Sequence, residues 1–292
     1  MTWSQRIALV LFVLMIPGSD VAAAQNMLNV AYVEVNDNAL SNVGCYKQSK
    51  TNKPFFDIAV IFAANINGSD PNAPQIFFNP QVDQLLNRTN QVKELQGKGI
   101  KVLLTLLGNH QNAGWSCVRQ DQPNAAKAFA DRIADVVQKY GLDGIDIDDE
   151  YSKCSPNSTS MIMIAEALTG NAQFKGKILS KALFTDQNVF QANYKGRKLA
   201  EFLNYGWEMT YGNDNAASRL SPYLGYGMSK ERLAIGVNPG LGAADRLATY
   251  AKQNGLGGVM VFNVTKSSAA YLSTIARVQS GQSVNADAAC LR

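Results

Sequence analysis

Leu142-Asp143-Gly144-Ile145-Asp146-Ile147-Asp148-Asp149-Glu150-Tyr151 holds five acids in ten positions, and its reading decides the fold and the chemistry. The β-branched Ile145 and Ile147 alternate with acids as along a strand. Side chains two apart on a strand share a face, so Asp146, Asp148 and Glu150 line one side. Three carboxylates that close repel one another, which raises at least one pKa and keeps an acid protonated at working pH. A calcium loop or a solvated acidic turn is the competing reading. Calcium loops use glycine-broken irregular backbone, whereas these acids alternate with apolar residues directly after a helix. The pattern therefore points to catalysis.

That helix spans 124–140, with Phe129, Ile133, Val136, Val137 and Tyr140 at helical spacing and Gly141 as its C-cap. Working outward, short apolar runs recur at 28–35, 56–64, 100–107, 142–147, 177–185, 205–211, 232–238 and 257–264. Further helical patterns cover 81–97, 160–167, 243–254 and 267–280. Near-continuous apolar strands alternating with helices predict a parallel sheet covered on both faces. Eight repeats suit a single α/β domain, a closed (β/α)8 TIM barrel, over residues 25–292. An open doubly wound sheet is the alternative, but no Gly-x-Gly-x-x-Gly opens the first helix. Barrel catalytic groups sit at the carboxyl ends of strands, and the acid cluster lies at the end of the fourth. Cys117 and Cys154 follow strands three and four, whose outgoing loops are neighbours in a barrel. They are expected to pair, leaving Cys45 for Cys290.

The 292 residues are 46% hydrophobic and carry a formal charge of +4. The bases are scattered without an aromatic-basic stripe, so no nucleic-acid partner is indicated. Residues 1–24 read as a secretory signal: Arg6, an apolar run to Ile16, Pro17-Gly18, then Ala22-Ala23-Ala24 before Gln25. That run is too short to span a bilayer, and no later segment is apolar enough, so no membrane partner is expected. An even count of four cysteines in an exported chain agrees with two disulfides. There is no Cys/His cluster for zinc, and His110 is the only histidine, so neither a metal nor another cofactor is expected. Glycosylation sequons start at Asn67, Asn87, Asn157 and Asn263.

The residues so far resemble glycoside hydrolase family 18. Its fourth-strand signature Asp-x-x-Asp-x-Asp-x-Glu is met by Asp143, Asp146, Asp148 and Glu150. Leu106-Leu107-Gly108-Asn109-His110-Gln111-Asn112-Ala113-Gly114 is similar to the third-strand loop of the endoglycosidase H-type endo-β-N-acetylglucosaminidases. The stretches 30–36 and 60–67, and Asp149-Glu150-Tyr151, follow the same subgroup. The resemblance is dense from 28 to 151 and sparse afterwards.

The resemblance implies a mechanism that departs from the two-carboxylate scheme, because the substrate's own 2-acetamido oxygen is the nucleophile. Glu150 maps onto the general acid and base. Asp148 maps onto the group that orients the acetamide and stabilises the oxazolinium, with Asp146 holding or sharing a proton with Asp148; Asp143 is read as structural. Tyr211 maps onto the tyrosine that hydrogen-bonds the attacking carbonyl, although Gly212 stands where family chitinases often have Asp. Tyr32, Asn65, Asn109 and His110 are candidate cleft residues. Trp115 is a candidate for stacking on a sugar, and Trp207 either floors the sugar site or packs in the barrel. The implied protein is a secreted (or periplasmic) endo-β-N-acetylglucosaminidase that cuts the core of N-linked glycans; a monomer is expected. A chitinase and a catalytically dead glycan-binding lectin are the alternatives.

Overall fold

A computed structural model describes residues 27–292, together with Met1. The leader read over 1–24 otherwise lies outside the described residues. Eight parallel strands follow in chain order: β1 Leu28–Glu34, β2 Ile58–Asn67, β3 Lys101–Gly108, β4 Gly144–Asp148, β5 Ile178–Leu183, β6 Tyr205–Glu208, β7 Leu233–Val237 and β8 Gly258–Val261. Each pairs with the next, and β1 pairs with both β2 (Val30 opposite Ile58) and β8 (Leu28 opposite Gly258). The sheet therefore closes, as expected from eight strand-helix repeats, and the open-sheet alternative is excluded.

The strands are apolar on both faces because each face has its own core. Val30, Tyr32, Val60, Leu103, Trp207 and Met260 fill the barrel interior. A larger outer core packs the other faces against the helices. In α3 (Pro123–Tyr140), Phe129, Ile133 and Val137 form the buried stripe that the sequence periodicity indicates.

One expected helix is two. The pattern over 81–97 divides into α1 (Pro80–Arg88) and α2 (Gln91–Gly97) because Thr89 is extended, and its hydroxyl donates to the Leu85 carbonyl at 2.7 Å. Asn79 caps α1 by accepting from the Val82 N–H at 2.8 Å. The remaining helices are α4 Ser160–Thr169, α5 Gln187–Gln191, α6 Ala216–Gly225, α7 Ala244–Asn254 and α8 Ala269–Ser280. None of the described helices is long and apolar enough to cross a membrane. Both expected disulfides form, Cys117–Cys154 and Cys45–Cys290.

Candidate active site

All five residues of β4 are buried, and the strand alternates as its sequence demands. Asp146 points into the barrel and collects four donors from four strands. Its Oδ2 accepts from the Tyr32 hydroxyl (2.6 Å) and the Thr105 hydroxyl (2.9 Å). Its Oδ1 accepts from the Ser180 hydroxyl (2.6 Å) and Trp207 Nε1 (3.0 Å). Burial pushes the Asp146 carboxyl above the ordinary aspartate range, and these four bonds offset only part of that rise. Asp143, at the strand start, accepts from the Val102 N–H (2.9 Å) and pairs with Lys101, the structural role read for it.

Asp148 is 3% exposed, and its Oδ1 is sealed from solvent with no hydrogen-bond partner among the described residues. Burial, then the charge of Glu150, push its carboxyl well above the usual aspartate range; Lys181 opposes them. Glu150 is half-buried beyond the strand end. Burial raises its carboxyl, Lys181 draws it down, and Asp186 and Asp149 push it up again. Both carboxyls are thus raised, and Glu150, at the mouth, is the more accessible of the two.

Tyr211 sits in the loop after β6. Its ring stacks on Phe262 with centroids 5.9 Å apart, and burial followed by the charge of Asp148 pushes its phenol well above 10. It is therefore a neutral hydrogen-bond donor throughout the working range. Two buried ion pairs hold the loops around these groups. Arg219 of α6 pairs with Glu208 and donates to the carbonyls of Asn213 (3.1 Å) and Gly236 (2.9 Å). Glu208 also accepts from the Thr210 N–H at 3.0 Å, which fixes the segment leading into Tyr211. Lys181 of β5 pairs with Asp186 at 2.9 Å and donates to the Ala182 carbonyl at 2.8 Å. Burial alone would depress the Lys181 ammonium, but Asp186 and Asp149 more than offset it and keep the lysine charged.

Several candidates take other places. Trp115 is 1% exposed, donates Nε1 to the Leu106 carbonyl at 2.8 Å and packs edge-on against Phe129. It is a core residue behind β3 and has no free face for a sugar, which corrects its reading as a stacking group. Of the two roles weighed for Trp207, the structure shows packing: it stacks on Tyr205 inside the barrel and orients Asp146. Tyr32 likewise serves Asp146 from within the barrel. Asn65 is half-buried near the end of β2, and Asn109 donates to Asn67 at 2.8 Å, joining the β2 and β3 loops. His110 is exposed at the lip.

Sequence reasoning missed the aromatic floor of the mouth. Phe62, in the middle of β2, and Phe262, just after the end of β8, meet edge-on at 5.4 Å, and Tyr32 lies 6.2 Å from Phe262. It also missed Lys181, although a lysine inside the apolar run Ile178-Leu179-Ser180-Lys181-Ala182-Leu183 is a signal that a buried charge needs a partner.

A closed barrel that sets a half-buried carboxylic acid with a raised pKa beside a second, almost fully buried one at the end of its fourth strand, over an aromatic floor, has the make-up of a glycoside hydrolase. Residues 22–237 match glycosyl hydrolases family 18, and the chain belongs to that family. It is 36% identical over 268 residues to an endo-beta-N-acetylglucosaminidase of Flavobacterium sp. (strain SK1022), covering 87% of this chain and 81% of that one. It is 41% identical over 131 residues to endo-beta-N-acetylglucosaminidase F1 of Elizabethkingia meningoseptica, covering 44% of this chain and 37% of that one. In fold it is similar to Bacteroides thetaiotamicron EndoBT-3987 at 24% identity. The TM-score is 0.73 to the complex with Man5GlcNAc product and 0.74 to the complex with Man9GlcNAc2Asn substrate. The match covers 90% of this chain in both cases, but only 63% and 68% of those chains.

Proposed function

We propose that this family 18 hydrolase is a secreted endo-β-N-acetylglucosaminidase that cuts between the two core GlcNAc residues of N-linked glycans. The relative that spans most of the chain carries that activity in its name, and the two disulfides suit an oxidising, exported setting. The observation that carries the mechanism is Asp148, an almost fully buried acid with an unpartnered oxygen beside Glu150. A buried carboxyl in that condition is destabilised until a donor or a positive charge reaches it. The 2-acetamido group of a bound GlcNAc brings both.

In the first step Glu150 gives its proton to the bridging oxygen as the C1–O bond breaks. The acetamide carbonyl oxygen bonds to C1 from the opposite face, forming an oxazolinium. Asp148 accepts the amide N–H and offsets the positive charge; Asp146, saturated by four donors, holds the neighbouring position. Tyr211, kept neutral by its raised pKa, donates to the carbonyl oxygen and orients it. In the second step a water attacks C1, returns a proton to Glu150 and opens the ring. Two inversions leave the β configuration. Phe62 and Phe262 floor the sugar and exclude water beneath it.

The test is mass spectrometry of a high-mannose glycoprotein after incubation with the enzyme. The expected product is protein that retains one GlcNAc at asparagine. Glycoprotein left intact, with chitin oligomers cleaved instead, would overturn the substrate assignment.

A further inference from the structure

Tyr151, the residue after the acid, is 53% exposed and has φ 61°. A bulky side chain rarely adopts that backbone conformation, and where it persists the surrounding structure must enforce it. Here the enforcement is visible. The Tyr151 carbonyl accepts from the N–H of His110 at 2.7 Å, and His110 itself has φ 54°. Two residues on, the Lys153 N–H donates to the Gln111 carbonyl at 2.8 Å, and Cys117–Cys154 closes the same pair of loops. The β3 loop passes so close that a Cβ at Gly108 would lie 2.2 Å from the Glu150 carbonyl oxygen. The two rings come together at the rim, His110 and Tyr151 centroids 5.3 Å apart.

The result is a rigid aromatic face standing in solvent, which burial would favour and nothing in the protein covers among the described residues. Its place is beside the acid. The charge of Glu150 is the largest influence raising the Tyr151 phenol, so the two groups lie within electrostatic reach. The donor sugar's acetamide must meet Asp148 and Tyr211, over the Phe262 side of the mouth. Glu150 holds the scissile oxygen. The sugar on the far side of that oxygen therefore leaves past the β3 and β4 rim, where this ring pair stands.

We infer that the clamped Tyr151–His110 pair is the platform for the leaving-side GlcNAc, the one attached to asparagine, and that it also receives a GlcNAc acceptor in the reverse sense. This rests on the endo-β-N-acetylglucosaminidase reading above. In the acceptor reaction, a sugar hydroxyl oxygen bonds to C1 of the oxazolinium, the C1–acetamide oxygen bond breaks, and the hydroxyl proton passes to Glu150. Water competes for the same intermediate without needing the platform. Tyr151 thereby acts on the choice between transfer and hydrolysis.

The experiment supplies a glycan oxazoline to the full-length enzyme and measures hydrolysis alone and transfer to a GlcNAc-asparagine peptide over a range of peptide concentrations. In Tyr151→Leu the peptide concentration for half-maximal transfer is expected to rise at least tenfold, while hydrolysis without peptide falls less than threefold. Tyr151→Phe, which keeps the ring, stays within threefold of wild type on both. His110→Asn, which tolerates the left-handed backbone but removes the second ring, is expected to lie between them. Tyr151→Leu with unchanged acceptor dependence, or with hydrolysis and transfer reduced by one common factor, would refute the platform. Wild-type enzyme that turns over no oxazoline would instead sink the functional reading beneath it.

Discussion

Glu150 and Asp148 stand two residues apart, yet their surroundings suit them to the opposite duties proposed above. Glu150 is reachable and biased toward its protonated form, so replacing it with Gln removes the proton donor while keeping shape. Loss of a general acid costs about a hundredfold or more in rate. Glu150→Gln is expected to fall at least that far in kcat with an unchanged melting temperature; a variant above a tenth of wild-type turnover would exclude Glu150 as the acid. Asp148 is a burden on the fold. Its folded-state pKa is raised, so the native chain holds a proton that the unfolded chain has already released. Stability then falls as pH rises from the ordinary aspartate range through the folded value, and the penalty is complete above it. Asp148→Asn removes the charge. It is expected to lose hydrolysis yet melt higher than wild type at pH 7, with the gain disappearing below about pH 4. Calorimetry that shows no gain at pH 7 would contradict this account of Asp148.

β4 works because its neighbours complete it. Thr105 of β3 lies opposite Asp146, as does Ser180 of β5, and both hydroxyls close on its carboxylate. Beyond the strand end, Gly108 gives the Glu150 carbonyl room to pass. A methyl there meets backbone, which cannot swing away as a side-chain tip does. Gly108→Ala is expected to lower kcat/KM by about a hundredfold, since displacing a catalytic group by about 1 Å suffices for that. Gly97→Ala, at the end of α2 where a Cβ meets nothing within 4 Å, serves as the control and keeps its activity. The strands and the acids were legible because both faces of β1 to β4 are apolar and the acids break that pattern at fixed spacing. The split between α1 and α2 was not, since Val82, Leu85, Val92 and Leu95 keep an apolar stripe while the backbone turns at Thr89. Nor could spacing separate Trp115 from Phe262 as the aromatic at the sugar. Both follow a barrel strand, and only the loop path decides that one turns inward behind β3 and the other stays at the mouth.

At the scale of the molecule, two disulfides do different work. Cys45–Cys290 spans 245 residues and fastens the C-terminal segment, where Val284–Ala286 pairs with Tyr46–Gln48 and Asn42 bonds both backbone groups of Arg292. None of the acids of the mouth lies on those segments. Cys117–Cys154 spans 37 residues and joins the two loops that carry His110 and Tyr151. A crosslink limits the unfolded chain more as the loop it closes lengthens. The chain-entropy argument therefore makes the longer bridge the more stabilising by about 1.7 kcal/mol, and each kcal/mol shifts Tm by roughly 2–4 °C in a domain of this size. Cys45→Ala with Cys290→Ala is expected to show the larger fall in Tm with kcat/KM within twofold of wild type. Cys117→Ala with Cys154→Ala is expected to show the smaller fall in Tm and a clear loss of kcat/KM, because the rim beside Glu150 loosens while the barrel stays closed. Thermal melts and steady-state kinetics on the two double variants decide the matter. Equal activity losses in both would mean that the C-terminal fastening, far along the chain from the acids, also holds the catalytic mouth in shape.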